Sequence, residues 1–213
     1  EALGKIEVVL NAQTLEANDY VLYTANCGTP DPYRIPNKES ERLGLLQSAV
    51  DQPLGEDAMT GYIWGRDADT EYSQAKTYGD GDAVDIGNSF IYMGTEAAFD
   101  KDKSALGYTF AVPGFSGIEG VESDTLEVTV AFKQPWGDKN VNILLEGRTY
   151  ATDLSFGKNE WVSRTFTTQV KDGELNVQVK NPRRKSGDDD PVLNYIKVRA
   201  VKHTEPQITT YDS

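Results

Sequence analysis

Two residue types that often build reactive centres are almost missing from this chain. Among 213 residues there is one cysteine, Cys27, and one histidine, His203. A lone cysteine cannot close an intrachain disulfide, and a domain of this size does not need one, so cysteine usage leaves the compartment open. One cysteine and one histidine cannot assemble a metal site of the His/Cys kind. A Ser-His-Asp or Cys-His centre would have to recruit His203, which lies in a C-terminal stretch without apolar periodicity. No apolar run approaches the roughly 20 residues that cross a bilayer. Positive charge is scarce as well: 21 Lys and Arg against 34 Asp and Glu give a formal charge of −13. That balance opposes nucleic-acid phosphates and anionic lipid headgroups, so no nucleic-acid or membrane partner is expected and neutral ligands are. The one basic cluster, Arg183-Arg184-Lys185, runs into Asp188-Asp189-Asp190 and reads as a solvated turn with local pairing. Gly79-Asp80-Gly81-Asp82 would put carboxylates where a phosphate must sit, the wrong sign for an anion loop.

What the chain does have is a globular share of apolar residues, 38%, and 10% aromatics, including eleven tyrosines. Length and composition suit one domain. The chain begins at Glu1 without Met or a signal peptide and reads as a piece of a longer precursor. Residues 1–19 are expected to be a linker or the end of a preceding module, 20–201 the folded module, and 202–213 a tail or linker. Tyr20 to Ala25 reads as the first confident strand, ending at a Gly- and Pro-rich break. From Ser89 onward short alternating segments come quickly: Phe90 to Met93, Gly107 to Val112, Val162 to Val170, Leu175 to Val179 and Ile196 to Ala200. The most regular stretch is Leu126 to Gly147. Leu126, Val128, Val130 and Phe132 alternate with Glu127, Thr129, Ala131 and Lys133, and Val141, Ile143 and Leu145 resume the pattern, which predicts a hairpin with Gln134, Trp136, Asp138, Lys139 and Asn140 at its tip. Asp172-Gly173 gives a second hairpin-like turn signal. Many short strands with almost no helix predict an all-β, antiparallel β-sandwich.

Tyr33 to Asp85 is long, polar and irregular, yet holds Tyr62, Trp64, Tyr72 and Tyr78 among glycines, which suits functional loops better than disorder. Asp80, Asp82 and Asp85 could offer oxygens to calcium, but no distal Glu completes the loop pattern, so a solvated acidic turn is the preferred reading and no cofactor is expected. Paired carboxylates are too numerous for any pair to be singled out. What stands out is aromatic rings interleaved with short polar groups: Tyr78, Tyr92, Trp136 and Trp161 with Gln134, Asn140, Asp188 and Asp189. A sugar ring offers an apolar C–H face and a belt of hydroxyls, and so suits a flat ring beside carboxylates or amides. Trp136, in a polar loop, reads as a ligand residue, whereas Trp161, at the start of a strand, reads as packing.

These segments resemble the malectin and malectin-like carbohydrate-binding domains. Tyr23-Thr24-Ala25-Asn26-Cys27-Gly28 resembles the family's opening strand and turn, and Thr77-Tyr78-Gly79 its Asp-Tyr-Gly motif. Phe90-Ile91-Tyr92 and Leu106 to Pro113 are similar to the strands before the central segment. Phe132-Lys133-Gln134-Pro135-Trp136 stands where the family has Phe-Ala-Glu and two aromatics, and Asp189-Asp190-Pro191 resembles its Asp-Asn-Pro turn. The resemblance implies a galactose-binding-domain-like jelly roll with long loops at one end and a sugar pocket built from them. It places stacking on Tyr78 and Trp136 and hydroxyl binding on Asp189. Pro135 replaces one family aromatic, and Phe99 is the only ring where a second pocket tyrosine is expected. The stretch Leu45 to Gln52, with Gly65, resembles modules attached to secreted bacterial glycoside hydrolases of the β-galactosidase type. The expectation is therefore an extracellular, non-catalytic module that binds oligosaccharide or polysaccharide through Tyr78, Trp136, Asp189, Gln134, Asn140, Tyr92 and Trp64, beside a catalytic domain of the same chain. The alternative is a structural spacer or protein-interaction sandwich without a sugar site.

Overall fold

A computed structural model describes residues 21–28, 51–58, 61–67, 73–77, 89–92, 105–112, 121–182 and 190–202. These residues form strands β1 (Val21–Asn26), β2 (Gly55–Glu56), β3 (Ile63–Arg66), β4 (Ser73–Thr77), β5 (Ser89–Tyr92), β6 (Ala105–Ala111) and β7 (Val121–Phe132). The chain continues through β8 (Lys139–Leu145), β9 (Arg148–Phe156), β10 (Val162–Gln169), β11 (Glu174–Lys180), β12 (Val192–Leu193) and β13 (Tyr195–Lys202). One sheet has four strands in the order β1-β13-β7-β10, a second has six in the order β2-β3-β6-β11-β8-β9, and a third has three, β12-β5-β4. Neighbouring strands run antiparallel in all three sheets, so the fold is an antiparallel β-sandwich. Lys202, expected to begin the tail, is the last residue of β13.

Alternation does what is expected of it within strands. In the four-stranded sheet Leu126, Val128 and Val130 face inward beside Ala200, Val198 and Ile196. In the six-stranded sheet Leu106, Tyr108 and Phe110 sit beside Val179, Val177 and Leu175. All these residues join one buried apolar cluster between the sheets, with dispersion and water exclusion as the cohesive terms. Tyr23 on β1 spans that interior: its hydroxyl donates to the Ala111 carbonyl on β6, and burial pushes its ionisation well up.

Alternation does not reveal which strands pair. The expected hairpin from Leu126 to Gly147 is absent: β7 pairs with β10 and β13, while β8 pairs with β9 and β11 in the other sheet. Residues 133–138 therefore carry the chain across the sandwich from one sheet to the other. Asp172-Gly173 marks the same kind of crossing. The Val170 N–H donates to the Asp124 carbonyl next to β10, and the Gly173 carbonyl accepts the Val112 N–H at the end of β6. Among the described residues a two-residue hairpin occurs at Glu146-Gly147, joining β8 to β9 with φ of 52° and 70°. Both values are positive, as a type I′ turn requires. Strand β9 escapes the sequence pattern because much of its surface is exposed on both faces, which erases the period-2 signal.

Gly28 governs how closely β5 approaches the turn after β1. At φ 84° it lies so near β5 that a Cβ there would collide with the Phe90 carbonyl carbon and oxygen. Its N–H donates to Asp51 Oδ2 at 2.7 Å. The absent side chain thus sets the position of Phe90. The neighbouring Cys27 is fully buried, and burial pushes its thiol ionisation well up.

Candidate functional site

Two connections cross between the sheets at the same end of the sandwich: 133–138 after β7, and 157–161 between β9 and β10. Gln134 binds them together. It is 1% exposed, and its amide nitrogen donates to the Gly137 carbonyl and, at 3.3 Å, to the Gly157 carbonyl. Its amide oxygen accepts the Trp136 N–H at 2.6 Å, and its main-chain carbonyl accepts the Asn159 N–H at 2.8 Å. The Gly157 N–H in turn donates to Glu160 Oε2 at 2.7 Å. A buried amide whose donors and acceptor are engaged organises the loops around it. The sequence pattern puts Gln134 against ligand; the structure instead places it as the fastening of both loops.

The loop fastened this way carries Trp136 outward. The indole is 39% exposed and stands on two aromatic rings of β5, 5.4 Å from Phe90 at 82° and 5.4 Å from Tyr92 at 64°. Phe90 and Tyr92 are two residues apart on one strand, so both rings come from the same face of β5. Edge-on geometries of this kind suit the ring quadrupole. Lys139 Nζ lies 5.6 Å from the Trp136 ring centroid, within reach of a cation–π contact. Lys139 is also ion-paired with Asp190, a pair that is almost wholly buried, with 4% and 9% of the side chains exposed. Asp190 immediately precedes Pro191 and β12, so the pair joins the start of β8 to the approach of the small third sheet. Below it, the Lys133 N–H donates to Asn194 Oδ1 at 2.6 Å, and the Asn194 main chain bonds Ala131 and Cys27.

The structure thus brings together Trp136, Tyr92 and Gln134 from the expected set. Asn140 lies next to Lys139 on β8, where alternation turns it to the outer face of the six-stranded sheet, away from Lys139. Trp64 is a core residue. It is fully buried, stacked 6.0 Å from Phe110 at 8°, with its N–H donated to Asp57 Oδ2 at 2.9 Å; with no exposed face and its one donor used, it offers a ligand nothing. Tyr78 and Asp189 lie outside the described residues, as do Asp80, Asp82 and Asp85. Two contributors are hidden from sequence reasoning. Asp190, which reads as part of a turn, supplies the carboxylate that holds Lys139. Trp161, which reads as packing, is 41% exposed on the second of the two fastened loops. The signal for Trp161 is its position after the turn residues Gly157 to Glu160, which marks a loop end as readily as a strand start.

No protein-family model matches the sequence, and no curated protein sequence does. Solved structures do match. The ectodomain of ANX2 from Arabidopsis thaliana superimposes with a TM-score of 0.53 at 15% identity, covering 86% of this chain and 50% of that one. The ANXUR1 extracellular domain from the same plant gives a TM-score of 0.53 at 14% identity, with 86% and 49% covered. Protein YXIM from Bacillus subtilis gives 0.52 at 13% identity, with 84% and 40% covered. The chain spans about half the length of the plant ectodomains it matches. Identities this low speak to fold alone, and the fold this chain shares with the plant ectodomains is a malectin-like β-sandwich.

Proposed function

We propose that the Trp136 end of the sandwich is a carbohydrate-binding surface, and that the protein is a non-catalytic module of a secreted bacterial glycoside hydrolase. In this reading Trp136 stacks on the apolar face of a sugar, with Tyr92 beside it and Tyr78 and Asp189 contributing from their own segments. Trp161 extends the surface along the second loop. Weak, reversible binding there would hold an attached catalytic domain near glycan and raise its effective substrate concentration. The observation that carries the proposal is that two tryptophans, Trp136 and Trp161, are 39% and 41% exposed on loops fastened to one another by a buried amide. Large rings are costly to leave in water, and two of them on loops held by one amide favour an interaction surface at this end. The −13 charge of the chain suits a neutral partner.

A second reading, a protein-interaction or spacer sandwich, draws support from Lys139, Asp190 and Gln134, whose polar groups are already engaged within the protein. A glycan array probed with the intact chain and with Trp136→Ala separates the two. Neutral glycans retained by the parent and lost by the variant support carbohydrate binding. Retention of none, or equal retention by both, supports the second reading or a different surface.

A further inference from the structure

At the far end of the molecule from Trp136 a cleft of about 480 Å³ opens between the edges of the two large sheets. It lies where β9 begins and β10 ends; Thr125, paired opposite Gln169, belongs to the end of β7 remote from Phe132. We propose that this cleft is a separate binding site for a neutral oligosaccharide, independent of the Trp136 surface.

Its volume falls in the range of small-molecule sites, about 300–1,000 Å³. Its lining includes one aromatic ring. Tyr150 on β9 packs on Phe166 of β10, with centroids 5.5 Å apart at 61°, and its hydroxyl donates to Thr168 Oγ1 at 2.9 Å. Thr168 is 4% exposed, so the ring is held by Phe166 and by its hydroxyl bond, and little rotamer freedom remains to be lost on binding.

The rim carries Glu146 and Asp172 against Arg148 and Lys171. In a chain of charge −13 this cleft is balanced. An ionic ligand of either sign would face two like charges, whereas a sugar hydroxyl donates to a carboxylate and accepts from a cation. Each acid is already aimed by the backbone: the Asn176 N–H donates to Glu146 Oε1 at 2.7 Å, and the Glu174 N–H to Asp172 Oδ1 at 3.2 Å. The second oxygen of each remains for further bonds. Burial, against the lowering influence of the Asn176 N–H and with the charge of Asp172 adding to it, raises the Glu146 ionisation.

An added peptide strand fits less well. The β8–β9 ladder slips in register between Val141 and Ile143 and again between Ile143 and Leu144, and Asp153 on β9 has φ 55°. Irregular edges of this kind discourage strand addition.

The test is an NMR titration of the intact, nitrogen-15-labelled chain with maltose, cellobiose and lactose at millimolar concentration. At least one sugar should shift the amides of Arg148 to Tyr150 and Thr167 to Gln169 saturably, and Trp136→Ala should leave those shifts in place. Asp172→Asn, which keeps the side-chain shape, should weaken binding about tenfold. Tyr150→Ala should abolish it while the remaining spectrum stays dispersed. The proposal is overturned if no sugar moves these amides, if the shifts vanish with Trp136→Ala, if Asp172→Asn binds as the parent does, or if a neutral extended peptide moves them where the sugars do not. The Trp136 indole signal reports the other surface separately in the same spectra.

Discussion

Lys139 faces Trp136 with its ammonium 5.6 Å from the ring centroid while ion-paired with Asp190. One buried cation therefore links an exposed aromatic on the β7–β8 crossing to the segment that leads into β12. The charge does not offset the chain's acidity at the surface; it is held inside, where its solvation has been replaced by a carboxylate and a ring face.

Breaking that pair from one side should be costly. Lys139→Met leaves the buried Asp190 carboxylate without the Lys139 ammonium and is expected to lower unfolding free energy by about 3–5 kcal/mol, whereas Lys139→Met combined with Asp190→Leu should recover most of it. Denaturant unfolding of the parent and the two variants measures both values. A single variant as stable as the parent would mean that the pair is solvated.

Gln134→Ala should loosen both loops at once. Removing an amide that satisfies two carbonyls and one N–H is expected to cost about 1–3 kcal/mol for the polar groups left behind. Trp136→Ala should cost less, because its ring is 39% exposed. The comparison by thermal or denaturant unfolding separates a fastening residue from a surface one. If Trp136→Ala is the more destabilising of the two, the indole is mainly a packing residue.

Asp51 is expected to give the fold a pH dependence whose sign follows from its burial. Burial raises its ionisation above the ordinary carboxylate range, against the lowering influence of Arg66 and the Gly28 N–H. The folded state thus holds this proton more tightly than the unfolded chain. The resulting stabilisation is full below the ordinary carboxylate value and is lost as pH rises through the raised one. Asp51→Asn removes this dependence, so the stability advantage of the parent over the variant should shrink as pH rises from the ordinary carboxylate range toward neutrality. Unfolding curves across that interval check it, and an advantage that grows with pH would reverse the assignment.

Much of the sandwich can be read from residue order because burial on one face writes a period of two into β7, β8, β11 and β13. Pairing cannot, since alternation says which way a side chain points and not which strand lies beside it. Leu126 to Gly147 and the Asp172-Gly173 turn look like hairpins and are crossings between sheets. The site is legible in the same partial way. Trp136 in a polar loop points to an exposed ring, but Trp64 among glycines gives the same local signal and is a core residue stacked on Phe110. Trp161 gives the opposite one and is exposed. Whether an aromatic is core or surface depends on what the other strands bring to it, as Phe110 is brought to Trp64 from a different part of the chain. Asp190 becomes visible only where β8 and the segment before β12 meet.

If Trp136 meets sugar directly, as proposed, its indole N–H resonance reports the contact. Titrating the intact chain with neutral oligosaccharides should move that resonance saturably, with parallel changes at Tyr92 and at the Trp161 indole, and the movement should persist at high salt because the ligand is uncharged. If the Trp136 resonance stays unmoved by glycans that the array shows to be bound, the sugar sits elsewhere, and the ring on this loop serves another partner.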